Sequence, residues 1–157
     1  MPNFKLTAEP GKQDITITYE FNAPAERVFR AMTDAKMIEK WWGPSIYTTE
    51  VDKLEPRPGG QWRFINRAAD GGEHGFHGVF HLVDAPSRLI QTFEYEGAPG
   101  HVSLETMTLE ERNGRTFVTA HSVFQSVEDR AGMMQGDSME GGARETYERL
   151  EALLAKG

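Results

Sequence analysis

Between Ile46 and Phe124 the chain is interrupted by turn chemistry at short intervals, and this punctuation constrains the fold more than any other feature. The marks are Pro56 to Gly60, Ala68 to Gly72, Asp84 to Ser87, Glu96 to Gly100 and Asn113-Gly114. Six strands fit between them, at 46–54, 61–67, 74–83, 88–95, 101–112 and 115–124. A parallel crossover needs a dozen or more residues, so connections this short join antiparallel neighbours into a meander. One more strand precedes them: Ile15, Ile17, Tyr19 and Phe21 alternate with polar residues over 14–22. The expected sheet therefore has seven strands.

Helical signals flank the strands. Pro24 suits a helix start and Glu26 its positive end, and Val28, Phe29 and Met32 form an apolar stripe. Asp34 can cap a second short helix carrying Met37, Ile38 and Trp41, which Gly43-Pro44 terminates. Ser126 opens a short helix or turn, and Asp137 or Ser138 opens the last helix. There Ala143, Tyr147, Leu150 and Leu154 recur at helical spacing, with Glu145, Glu148, Arg149 and Glu151 outward. A sheet with one apolar face must be covered, and the closing helix offers the only long apolar stripe. The expectation is an α+β fold of β-α-α-β6-α order, a curved sheet gripping a C-terminal helix over an apolar cavity. Residues 1–13 read as an N-terminal tail and 14–157 as a single domain.

Asn113-Gly114 fixes the register of the last hairpin, because a two-residue type I′ turn needs positive φ at both positions. Counting outward pairs Arg112 with Arg115, Leu109 with Val118, Met107 with Ala120 and Glu105 with Ser122. The apolar pairs set the inward face, which makes Glu105 an inward carboxylate with Ser103, Ser122 and Phe124 beside it. Thr106, Thr108, Thr119 and His121 face outward. Burying an unpaired charge is costly, so Glu105 either anchors a ligand or moves protons, or it is solvated at the rim or paired with an arginine such as Arg63. Trp62 and Phe64 share the inward parity, and Phe76 and Phe80 join them on the next strand. Trp41, Trp42, Met139, Ala143 and Tyr147 complete the expected cavity wall. Two glycines at 141–142 cost a helix on the order of 1 kcal/mol each. Either they thin the cavity roof, or the helix begins or kinks after them.

Other chemistries lack their patterns. The formal charge is −7, and no concentrated basic face exists to track nucleic-acid phosphates. There is no cysteine, so no disulfide and no thiolate chemistry, which is compatible with a reducing compartment. No secretory signal and no apolar window near the roughly 20 residues of a membrane span is readable, so the expectation is a cytoplasmic protein. His77 and His81 share a strand face but lie about 13 Å apart, too far to hold one metal ion. No HExxH, phosphate loop or GxSxG elbow is present. No cofactor is expected, and Glu105 is the one catalytic candidate.

Five segments together carry a family resemblance: Trp41-Trp42-Gly43-Pro44, Pro58-Gly59-Gly60-x-Trp62, Phe76-His77-Gly78, Arg88-Leu89 and the helix from Glu140-Gly141 to Leu154. In this order they resemble bacterial proteins related to the C-terminal domain of the heat-shock protein 90 ATPase activator, within the START-like, helix-grip superfamily also called SRPBCC. The resemblance covers about residues 14–155 and implies the same β-α-α-β6-α fold with a cavity under the final helix. Many relatives carry Gly-Trp near the start of that helix, where this chain has Gly141-Gly142. The superfamily includes lipid and hormone binders, polyketide cyclases and aromatases, carriers and the chaperone activator domain, and fold does not choose among them. The leading expectation is a non-enzymatic binder of a lipophilic small molecule or lipid, as a monomer or homodimer. A chaperone-ATPase interaction module and a cyclase- or hydrolase-like enzyme using Glu105 or an inward histidine are the alternatives.

Overall fold

The computed structural model describes residues 3–134 and 138–156. Its elements run β1 (Lys5–Thr7), β2 (Asp14–Phe21), α1 (Ala25–Thr33), α2 (Ala35–Trp41), β3 (Tyr47–Leu54), β4 (Gln61–Ala68), β5 (Glu73–Asp84), β6 (Arg88–Tyr95), β7 (Val102–Arg112), β8 (Arg115–Val123), α3 (Val127–Met133) and α4 (Ser138–Ala155). All strands form one antiparallel sheet in the order β1-β2-β8-β7-β6-β5-β4-β3. The strand count is thus eight, not seven. The extra strand pairs Lys5, Leu6 and Thr7 with Thr18, Ile17 and Thr16. Phe4 beside it is buried and packs 5.8 Å from the Tyr147 ring. Three residues are too few to show a period, so this segment reads as a tail in the sequence.

The last hairpin has the expected register, with Arg112 opposite Arg115, Leu109 opposite Val118, Met107 opposite Ala120 and Glu105 opposite Ser122. Asn113 and Gly114 take φ of 55° and 78°, as a type I′ turn requires. Asp34 caps α2, its carboxylate accepting from the Met37 N–H at 3.1 Å. Ser126 caps α3 through the Asp129 N–H at 3.0 Å. The opening of α4 at Asp137 falls outside the described residues.

One edge of the sheet is irregular. The pairing of β3 with β4 slips between Val51 and Lys53, and the Val51 N–H on the edge strand donates to the Glu39 carboxylate at 2.9 Å.

Helix α4 buries Leu150 and Leu154 and sets Tyr147 against Tyr19 and Phe21, with ring centroids 5.5 and 6.0 Å apart. Its polar side is less free than spacing suggests. Arg149 donates to the carbonyls of Lys40 in the last turn of α2 and of Gly43 just past it, where the helix dipole leaves negative charge. Glu145 accepts from the Ser45 hydroxyl and N–H. These contacts latch α4 over the mouth of the sheet. No helix of the described residues is long and apolar enough to cross a membrane.

Candidate functional site

Between α4 and the sheet lies a cavity of about 220 Å³. Its wall includes Ile17 of β2 and Leu54 of β3. On a flat sheet these strands would stand about 29 Å apart, six spacings of ~4.8 Å, so the sheet must curl to bring both onto one small space. Trp41, Trp42, Phe64, Phe80, Glu105, Met107, Ala120, Ser122, Met139 and Tyr147 border it as expected. Trp62, Leu109, Val118 and Ala143 do not. The first three are buried behind the lining, and Ala143 packs against the core. Parity assigns a side chain to a face, but depth depends on how the sheet curls. The indole of Trp62 is spent on structure: its N–H donates to the Thr92 carbonyl at 3.1 Å. Trp41 likewise donates to the Ala31 carbonyl at 2.9 Å.

Sequence reasoning missed Gln91, along with the apolar Met32, Ile38, Leu89 and Leu150 and the hydroxyl-bearing Thr146. Gln91 stands opposite Glu105, and Glu105 opposite Ser122. Three neighbouring strands therefore lay one polar row across an otherwise apolar floor. Within that row the single close contact is Ser122 Oγ to Glu105 Oε2, at 3.4 Å. Arg63 is not available to Glu105. It forks onto Glu96 at 2.7 and 2.8 Å and reaches Asp52 at 3.3 Å. That network, with His77 2.9 Å from Glu96, holds the Glu96 carboxyl down at about 2.

Glu105 is half-buried and its carboxylate belongs to the cavity lining. Burial therefore dominates its ionisation and pushes the carboxyl up to about 7, with Ser122 pulling weakly the other way. Tyr147 across the cavity is driven upward by its own burial and by the Glu105 charge. Glu105 is the only residue of the described lining with a charge near neutral pH. Such a group can hold a proton, accept hydrogen bonds or pair with a cation. Among the described residues no nucleophile is paired with a base here: no histidine is in the described lining, and His74, His77, His101 and His121 hydrogen-bond to Tyr95, Glu96, Asp129 and Asp14 respectively.

The glycines at 141–142 do not thin the roof. Both lie inside α4, a Cβ on Gly141 would meet open space, and one on Gly142 would touch Pro44 at an ordinary 3.6 Å. Gly141→Ala is therefore expected to raise stability by about 0.5–1 kcal/mol through helix propensity, seen as a rise in Tm, with no change in the cavity.

A larger hollow of about 370 Å³ lies beside α3, lined by Phe93, Tyr95, Ser103, Phe124 and Met133 among others. It carries the remainder of the inward parity, Ser103 and Phe124. Size alone does not make it the better site: of its carboxylates Asp129 is paired with His101 and Glu128 is exposed, whereas the smaller cavity holds a carboxylate with no charged partner in the described lining.

A family model described as activator of Hsp90 ATPase homolog 1-like protein matches residues 22–155. Among solved structures, a protein of Arthrobacter aurescens is 28% identical with a TM-score of 0.89, covering 98% of this chain and 92% of that one. A protein of Mycobacterium smegmatis is 26% identical with a TM-score of 0.84, over 96% of this chain and 95% of that one. A protein of Rhodobacter sphaeroides shares the fold at 23% identity, with a TM-score of 0.89 and 99% of both chains covered. No curated protein matches the chain.

Proposed function

The chain belongs to the activator of Hsp90 ATPase homolog 1-like family, within the START-like helix-grip superfamily, and from that premise we propose that it binds a small lipophilic molecule between α4 and the sheet. The observation that carries this reading is the apolar cavity of about 220 Å³ with one polar row on its floor. Walls of aromatic and aliphatic side chains around a few convergent polar groups are the usual make-up of small-molecule sites. The volume narrows the occupant. A dry cavity of about 150 Å³ holds benzene, so this one suits a single ring with a short substituent rather than a long-chain lipid. Action on a chaperone ATPase rests on the family's name, and the cavity adds nothing to it.

p-Cresol, a single ring with short substituents, is a suitable first probe. At a hundred times its Kd a ligand stabilises by about 2.7 kcal/mol, a Tm rise of roughly 5–10 °C for a chain of this length. Ala120→Leu places a larger side chain in the void and is expected to abolish that rise while the unliganded protein stays folded. Equal p-cresol shifts in both proteins, or no shift from any single-ring probe, would remove the cavity as a binding site.

A further inference from the structure

The geometry points to a narrower ligand class: the cavity takes a small lipophilic amine, bound as its ammonium ion against Glu105. This rests on the binding reading above and names the chemistry of the polar end.

Three observations lead there. The described lining supplies Glu105 with no cationic partner, and Arg63, the arginine that the sequence suggested, is committed to Glu96 and Asp52. A buried carboxylate without a counter-ion is expensive, and a ligand that brings the missing positive charge relieves that cost on binding. Next, the groups flanking the carboxylate are neutral and able to accept hydrogen bonds. Gln91 and Ser122 stand in register on either side, and Ser122 is already 3.4 Å from one carboxylate oxygen. An ammonium carries three N–H donors, which one carboxylate and two such neighbours can satisfy. Finally, Trp41, Trp42, Phe64, Phe80 and Tyr147 border the same space, and aromatic faces attract a cation where they repel an anion.

The same arrangement excludes lipophilic carboxylates. A fatty acid or aryl-alkanoate would set a second negative charge beside Glu105, with no basic residue in the described lining to balance it. Among that lining the only other titratable group is Tyr147, on α4, which burial keeps protonated. The remaining lining residues from α1, α2 and α4 and from the strands are neutral, so Glu105 alone sets the charge preference.

Calorimetric titration with phenethylamine, phenethyl alcohol and 3-phenylpropionate separates the outcomes. The three probes share a ring and chain and differ in charge. At pH 8 phenethylamine is expected to bind at least tenfold more tightly than phenethyl alcohol, and 3-phenylpropionate more weakly than either. The amine's advantage should shrink at pH 5.5, where Glu105 takes up a proton. Glu105→Gln, an isosteric change checked for folding by circular dichroism, should erase the advantage, bringing the amine's affinity down to that of the alcohol or below it. Equal affinity of amine and alcohol at pH 8, or a preference for the carboxylate, would overturn the amine assignment while leaving the binding reading standing. Failure of all three probes would overturn both.

Discussion

Gly78→Ala is expected to be among the most damaging single-methyl changes in this protein, destabilising it by more than about 3 kcal/mol. Gly78 sits inside β5 opposite Trp62 of β4. A Cβ there would stand 1.9 Å from the Thr92 carbonyl oxygen and 2.6 Å from the Trp62 indole nitrogen. Those two atoms are the acceptor and donor of the hydrogen bond that holds the buried indole, so the methyl would have to displace the bond itself. A flexible side-chain tip could move aside, but here one clashing atom is sheet backbone and the other belongs to a ring that is 1% exposed. Urea unfolding monitored by circular dichroism and Trp fluorescence would measure the loss. A midpoint near that of the unaltered protein would mean that β5 and β6 can separate at little cost, contrary to the packing described. Gly141→Ala, chemically the same change, is expected to carry the opposite sign.

Glu105→Gln is expected to stabilise the unliganded protein, increasingly so as the pH rises. The carboxyl titrates at about 7 when folded, up from its ordinary 4.5, so the folded state holds a proton that the unfolded chain releases between those values. Stability contributed by this group is therefore fully present below about pH 4.5, drains as the pH rises, and is gone above 7. At about 1.4 kcal/mol per pH unit, the difference between variant and parent should grow by about 3 kcal/mol from pH 4 to pH 8. Groups such as Glu96, which its partners hold low, lose stability in the opposite sense as the pH falls. They are common to both proteins and cancel in the difference. Urea midpoints for parent and variant at several pH values give the curve directly, and a flat difference would show Glu105 to be solvated when folded.

How much of this was legible in the chain varies with the length of the pattern. The Asn113-Gly114 turn gave a register that holds from Arg112–Arg115 to Glu105–Ser122, because two-residue turns leave the pairing no freedom. That register alone placed Glu105 and Ser122 on the cavity side. Gln91 escaped because β6 carries apolar residues of both parities, Leu89 beside Ile90, so alternation does not say which face is inward even though its pairing with β7 is regular. Leu109 and Val118 share the right face but are sealed behind the lining, since alternation carries no information on where a curved sheet leaves space. The glycines of α4 misled for a simpler reason: composition shows that a side chain is missing, not whether anything lies where it would have been.

The irregular edge at β3 has a consequence for the protein among its own copies. A sheet normally ends in a row of unpaired N–H and C=O groups that can template another strand. Here one terminal strand is only three residues long. The other is kinked by the slip at Val51, has the Val51 N–H occupied by Glu39, and displays Glu50, Asp52 and Lys53 to solvent. Neither border offers a flat, uncharged ladder for a neighbouring molecule to extend, so the sheet is guarded against intermolecular strand addition at both ends.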